Sequence, residues 1–378
     1  MAALLFAVYI CYGFFQFCVS CFISEEGVSR QVIEEYFSDI KERNSYVELY
    51  GGVQRLLGKR QIENFTIYKT TYGSLVAARE DVSDEEIDRK FRELYPIIEH
   101  LESEHIPYYY ITSILPVQDI KDIPYGVVEG SHSNQARVRQ LLEENDIETI
   151  DLQSLDEIKR IKKEDLFYAT DHHWTVDTCF AAYQGIMEIV ESDHVYEMPD
   201  GTYDIGNYDR TCIENSFLGS YGIKVGKYYA GKDNFVIYTP KFDTDLTFRS
   251  YDADGNLIRE KTGKFYEALI DDNIVNDPDY NNKYSAFCNT DYIENRIINN
   301  NAPNHLKCLY ISHSYGRPMT MYLSMNFEET INLDPQKGRF EGNYIEYIKS
   351  FRPDIVLIQS EFEGEIIGNY RAREEKRD

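Results

Sequence analysis

Apolar and polar positions change their rhythm several times along this chain. Residues 2–24 form an uncharged run, A-A-L-L-F-A-V-Y-I-C-Y-G-F-F-Q-F-C-V-S-C-F-I-S. As a helix it would be about 35 Å long, enough to cross a bilayer. The run predicts a membrane anchor or uncleaved signal, although no Lys or Arg precedes it. Val28, Val32, Ile33, Tyr36, Phe37 and Ile40 then recur at helical spacing, so 25–60 reads as an amphipathic helix and connector. Strand-like segments flank Gly73 between Ile62 and Val76.

From residue 84 helices and short apolar runs alternate. Asp84–His105 has a helical pattern capped by Ser83 or Asp84, and Ile106–Leu115 is of strand type, ended by Pro116. Asn134–Asn145 and Ile147–Leu152 repeat the pair, and a further helix runs from about Val176 to Val190. Such alternation indicates a parallel sheet covered on both faces. Residues 195–300 break the rhythm with Gly, Asp, Asn and Tyr. Asn234–Thr239 and Leu246–Ser250 read there as antiparallel strands, and Asp252–Asn256 as a hairpin turn rather than a calcium loop. This stretch is expected to be a β-rich insertion lying over the sheet, or a lid. Alternation returns with strands Leu306–Ile311, Thr330–Leu333 and Asp354–Ile358 and helices Pro318–Met325 and Tyr344–Phe351; residues 371–378 form a charged tail. The α/β domain therefore comprises 61–194 and 301–370.

Charge narrows the partners. The 378 residues include 65 acidic against 39 basic side chains, a net charge of −26, which repels phosphate backbones and makes nucleic acid an unsuitable ligand. Tyrosine is abundant, at 32 residues, and suits either sugar faces or ordinary strands. Of the seven cysteines, Cys11, Cys18 and Cys21 lie in the apolar N-terminal run, and Cys179, Cys212, Cys288 and Cys308 are scattered with no C-x-x-C pair and no His at a zinc spacing, so no metal and no cofactor is expected.

Candidate chemistry concentrates in two stretches. Thr170-Asp171-His172-His173-Trp174-Thr175 holds two of the eight histidines and the only tryptophan. Leu306–Gly316, L-K-C-L-Y-I-S-H-S-Y-G, is a strand running into a turn that opens a helix, a natural seat for a nucleophile. Ser312 and Ser314 are both candidates. Ser314 is preferred because it lies deeper in the turn, with His313, Tyr315 and Gly316 around it; a capping serine is the plain alternative. Asp171 and His173, two apart, share one face of an extended chain, so Asp171 can orient His173 as base for Ser314. His172 should then point the other way, toward the core or the strand edge.

T-D-H-H-W-T resembles the signature of the bacterial DHHW proteins, related to the SGNH-hydrolase-like domains of the alginate O-acetyltransferases (AlgX/AlgJ-like). There a T-D-x-H-W-T segment precedes D-S-[FY]. Q-R-L-L-G-K at 54–59, T-D-H-H-W-T, F-L-G-S-Y-G at 217–222 and S-H-S-Y-G fall in the family's order from about residue 45 onward. The resemblance implies an SGNH-hydrolase-like, flavodoxin-like α/β fold with helices on both faces and a permuted catalytic order. It also implies Ser314 as nucleophile, His173 as base, Asp171 as its orienting group, and O-acetyl transfer or acetyl-ester hydrolysis on an extracytoplasmic polysaccharide or small acyl ester of a bacterial cell envelope. One position departs, since His313 stands where the family has Asp. A non-catalytic polysaccharide-binding protein and a metal-dependent phosphoesterase are the alternatives.

Overall fold

The computed structural model describes residues 11, 12, 15, 43–63, 66–193, 196, 198, 199, 201–278, 282–289, 293–302, 304–335 and 343–359. All of the expected anchor at 2–24 except residues 11, 12 and 15, the first part of the expected amphipathic helix and the charged tail lie outside them. Among the described residues no helix is long and apolar enough to cross a membrane.

Eight strands make the central sheet: β4 (Tyr108–Thr112), β5 (Thr149–Asp151), β8 (Leu246–Tyr251), β9 (Leu257–Gly263), β10 (Glu294–Asn299), β11 (Lys307–Ile311), β12 (Glu329–Leu333) and β13 (Ile355–Gln359). Their order is β5-β4-β13-β11-β12-β10-β8-β9. The first five are parallel to one another, and β10, β8 and β9 continue antiparallel. β4 and β13 are buried at every position, as expected of parallel strands covered on both faces. One core, with Phe180, Tyr183, Met187 and Met319, packs on one side. A second, with Phe91, Leu101, Val138 and Ile348, packs on the other.

The stretch 195–300 divides in two. β8, β9 and β10 prolong the central sheet, while β6 (Tyr208–Phe217) and β7 (Asp233–Pro240) form a separate ribbon. Alternating apolar residues mark a strand but do not say which edge it joins, so this extension has no sequence signal. The helical pattern 84–105 is two helices, Asp84–Phe91 capped by Ser83, and Tyr95–Ser103. Pro96 sits in the first turn of the second, where its missing N–H costs nothing, and it disfavours a continuous helix through that point. At the amino end, the helix Arg43–Leu56 and a small sheet of β1 (Gln61–Ile62), β2 (Ile67–Lys69) and β3 (Leu75–Ala77) both pack against the helices Ser220–Val225 and Lys227–Ala230.

Candidate active site

Ser314 lies in the turn that links β11 to the helix Gly316–Leu323, at the carboxyl edge of the parallel strands. From Cys308 to Phe327 every other residue is buried; Ser314 alone is partly open. Ser312 is wholly buried, and its hydroxyl accepts from Asn332 Nδ2 at 2.9 Å, so it belongs to the interior. His313 is also buried, edge-on to the Tyr315 ring.

The second stretch is a loop closed at its base. Phe167 and Trp174 form an antiparallel bridge, Tyr168 N–H donates to His173 O, and Thr175 caps the helix Val176–Ser192. Between these points the chain bends, and the Asp233 carboxylate holds it by accepting from Ala169 N, Thr170 N and Thr170 Oγ1. Trp174 Nε1 donates to Tyr315 O at 3.1 Å, and Tyr315 OH donates to His172 O. These reciprocal bonds lock the loop to the Ser314 turn.

The result is a continuous hydrogen-bonded chain. His173 Nε2 lies 2.9 Å from Ser314 Oγ, and His173 Nδ1 lies 2.5 Å from Asp171 Oδ1. Asp171 Oδ1 also accepts from His173 N at 3.0 Å, and its Oδ2 accepts from Ser220 N at 2.5 Å. The approach of Ser220 needs glycine before it: a Cβ on Gly219 would stand 2.2 Å from Asp171 Cβ. This explains the F-L-G-S-Y-G motif.

The electrostatics keep the pair in separate states. Burial acting alone would raise the Asp171 pKa, but His173, His172 and the Ser220 N–H together hold it well below the carboxylate range. Burial lowers the His173 pKa, helped by His172 and Arg317 and opposed by Asp171. The pair is therefore a carboxylate and a neutral imidazole. With Nδ1 donating to Asp171, Nε2 is left as acceptor for the serine proton.

Tyr284 was missed by sequence reasoning. Its ring stacks on His173 with centroids 3.8 Å apart at 14°, and its hydroxyl donates to Tyr315 O at 3.1 Å. Nothing distinguishes it among 32 tyrosines in a stretch with no regular rhythm. Asp233 was missed for the same reason. His172 departs from expectation. It is a third exposed, its Nδ1 lies 2.8 Å from Ser220 Oγ, and its ring lies beside that of His173, because the loop is bent rather than extended. His172 and Tyr315 line a narrow recess, with Tyr72, Ser74, Arg79, Lys163 and Tyr221 on its other walls.

Asp171, His172 and His173 bring ligand-type atoms within 4.8 Å of one another. Yet Asp171 Oδ1 and His173 Nδ1 touch at 2.5 Å. Two ligands of one metal, each about 2 Å from it at a tetrahedral angle, stand more than 3 Å apart. The arrangement fits a shared proton and does not fit a shared ion.

The fold is of the α/β, SGNH-hydrolase-like kind, and part of the chain is similar in sequence to such a domain. Residues 122–209 match the family model described as SGNH hydrolase-like domain, acetyltransferase AlgX. Bacillus cereus PatB1 superposes with a TM-score of 0.65 at 21% identity, covering 80% of this chain and 98% of that one. Its form with a sulfonyl adduct gives 0.63 at 21%, covering 80% and 96%. A DHHW family protein from Eubacterium siraeum gives 0.57 at 17%, covering 82% and 94%. No curated protein matches the chain in sequence. The resemblance read from T-D-H-H-W-T holds, since that hexapeptide lies inside the matched segment.

Proposed function

We propose that this protein performs serine-dependent acyl-ester chemistry, O-acetyl transfer to a polysaccharide or hydrolysis of its acetyl esters, outside the cytoplasm. The observation that carries the reading is the chain Ser314 Oγ, His173 Nε2, His173 Nδ1, Asp171 Oδ1. The description of the matched family as an acetyltransferase supports the acyl group.

His173 takes the proton of Ser314 as the oxygen attacks the acetyl carbonyl, and Asp171 stabilises the imidazolium that forms. The helix Gly316–Leu323 begins two residues after Ser314, so the positive end of its dipole lies at the turn where the oxyanion develops. Collapse of the tetrahedral intermediate expels the donor's alcohol, which takes the proton back from His173. An acceptor hydroxyl, or water, then repeats the sequence on the acetyl-serine. Tyr72, Tyr221 and Tyr315 border the recess beside His172, and aromatic faces of this kind can stack on a sugar ring. In this reading residues 2–24 hold the α/β domain at the membrane, and 195–300 is an insertion whose Tyr284 braces the site.

The test is turnover of a chromogenic acetyl ester by the wild type and by Ser314→Ala. The proposal expects serine-dependent turnover insensitive to chelators. Phosphatase activity that needs a metal would replace it with the phosphoesterase reading. Silence on both substrates with retained glycan binding would replace it with the non-catalytic one.

A further inference from the structure

The corner formed by the helix Arg43–Leu56 and the helices Ser220–Val225 and Lys227–Ala230 departs from the rest of the surface. Leu49, Tyr50 and Leu56 stand exposed on the first and Leu57 in the turn that follows it, Leu56 at 86% and Leu57 at 65%, and Ile223 and Tyr228 are also exposed. Residues 49, 50 and 56 fall on one face of the helix, and Leu57 follows in the turn at its end, continuing the apolar stripe. The opposite stripe, with Gly51 and Gln54, is buried. The three helices form one body: a Cβ on Gly51 would stand 2.0 Å from Val225 O, and Arg55 Nη1 donates to Tyr228 O. Tyr229 OH, on the third helix, donates to Lys59 O.

Charge on this corner runs against that of the chain. Arg55, Lys59 and Lys224 are exposed there, and Lys227 is paired with Glu48 at 2.8 Å. The chain as a whole carries −26. Apolar side chains, a tyrosine at their border and a fringe of cations are the profile of a surface that sits in the headgroup region of a bilayer. A second copy related by a two-fold axis would bring the same cations together, which disfavours self-association. In the sequence, the uncharged run 2–24 lies on the amino side of this helix.

We propose that this corner docks on the surface of an anionic phospholipid bilayer, with the stripe in the headgroup layer and the cations against the lipid phosphates. The docking does not depend on the proposed chemistry. Its geometry does bear on the site, because Ser220, the first residue of the helix that carries Ile223 and Lys224, donates to Asp171. That helix is only about 9 Å long, so docking would hold the candidate site close to the lipid boundary.

The native tryptophan, Trp174, is buried and serves as a constant background. The test uses the full chain reconstituted with vesicles of phosphatidylcholine and phosphatidylglycerol that carry brominated acyl chains. One variant is Leu57→Trp. The control is Val128→Trp, also exposed and apolar but outside the corner. A side chain about 5–10 Å into the headgroup boundary comes within reach of the bromine and should lose emission to it. The expected result is quenching of the Leu57→Trp signal and none of the Val128→Trp signal. Adding Lys59→Glu and Lys224→Glu to Leu57→Trp should weaken partition by about fivefold per cation lost. Unchanged Trp174 emission in each variant verifies the fold. Equal quenching of the two added tryptophans would overturn the proposal, as would a blue shift at Leu57→Trp without lipid. A lipid-free shift that grows with protein concentration would assign the corner to a second copy, and one independent of concentration to the chain's own residues 1–42.

Discussion

The ring of Tyr284 lies flat on the imidazole of His173, and its hydroxyl reaches the carbonyl of Tyr315, the residue after Ser314. One side chain thus touches both the ring that would take the proton and the turn that carries the hydroxyl. We expect Tyr284→Phe, which keeps the stack, to lower turnover only a few-fold. Tyr284→Leu frees the ring to tilt, and misplacement of about 1 Å can cost about 100-fold. The loss should appear in kcat with KM little changed, measured on a chromogenic acetyl ester.

Asp171 is buried and accepts three N–H bonds. Asp171→Asn can present an amide N–H toward His173 Nδ1 and so favour the wrong tautomer. Turnover should fall about 10³- to 10⁴-fold. A misdirected buried donor should also cost about 1–3 kcal/mol of stability. Steady-state kinetics and thermal unfolding of the same variant check the two effects separately.

Gly219→Ala places a methyl group against Asp171 and should displace the Ser220 N–H from its carboxylate. The expected outcome is loss of activity comparable to that of Asp171→Asn, with Tm lowered. Ser220→Ala keeps the backbone donor and should retain most of the activity, which separates the role of the amide from that of the hydroxyl that meets His172.

The pH dependence follows from burial. His173 has its folded pKa below the ordinary histidine value, chiefly through desolvation. Above the unfolded pKa, about 6.5, both states are neutral there. As the pH falls below it, the unfolded chain binds a proton that the folded chain refuses, so the stability His173 permits is lost toward acid. Asp171, also depressed, adds loss in the same direction below about pH 4, the ordinary carboxylate pKa. The acid limb of kcat/KM should therefore lie below the ordinary histidine range, and chemical unfolding at several pH values should show stability falling steadily from neutral to acidic conditions. An acid limb at the ordinary histidine value would mean that His173 is solvated.

Much of this architecture was legible from residue order. The run Leu306–Ile311 followed by S-H-S-Y-G is a strand, a turn and a helix start in both readings, because apolar length and turn chemistry are local properties. Ser83, one of the two caps expected for the helix at 84, does cap it. The two histidines next to the sole tryptophan pointed to a special loop, and the indole of Trp174 ties that loop to the Ser314 turn. The illegible parts depend on long-range pairing. β10 joins β8 to β12 across more than seventy residues of chain, which no local pattern encodes. Tyr284 and Asp233 act through partners far away in sequence. An extended chain would turn His172 toward the core or the strand edge; the bend between Thr170 and His173 turns it toward the recess instead.

The most direct measurement is of the covalent intermediate. The protein is quenched in acid during turnover of 4-nitrophenyl acetate, digested, and its peptides weighed. The account predicts one acetyl group, on the peptide containing Ser314, absent from Ser314→Ala and from His173→Ala. An acetyl group on another residue, or continued ester turnover by Ser314→Ala, would contradict it.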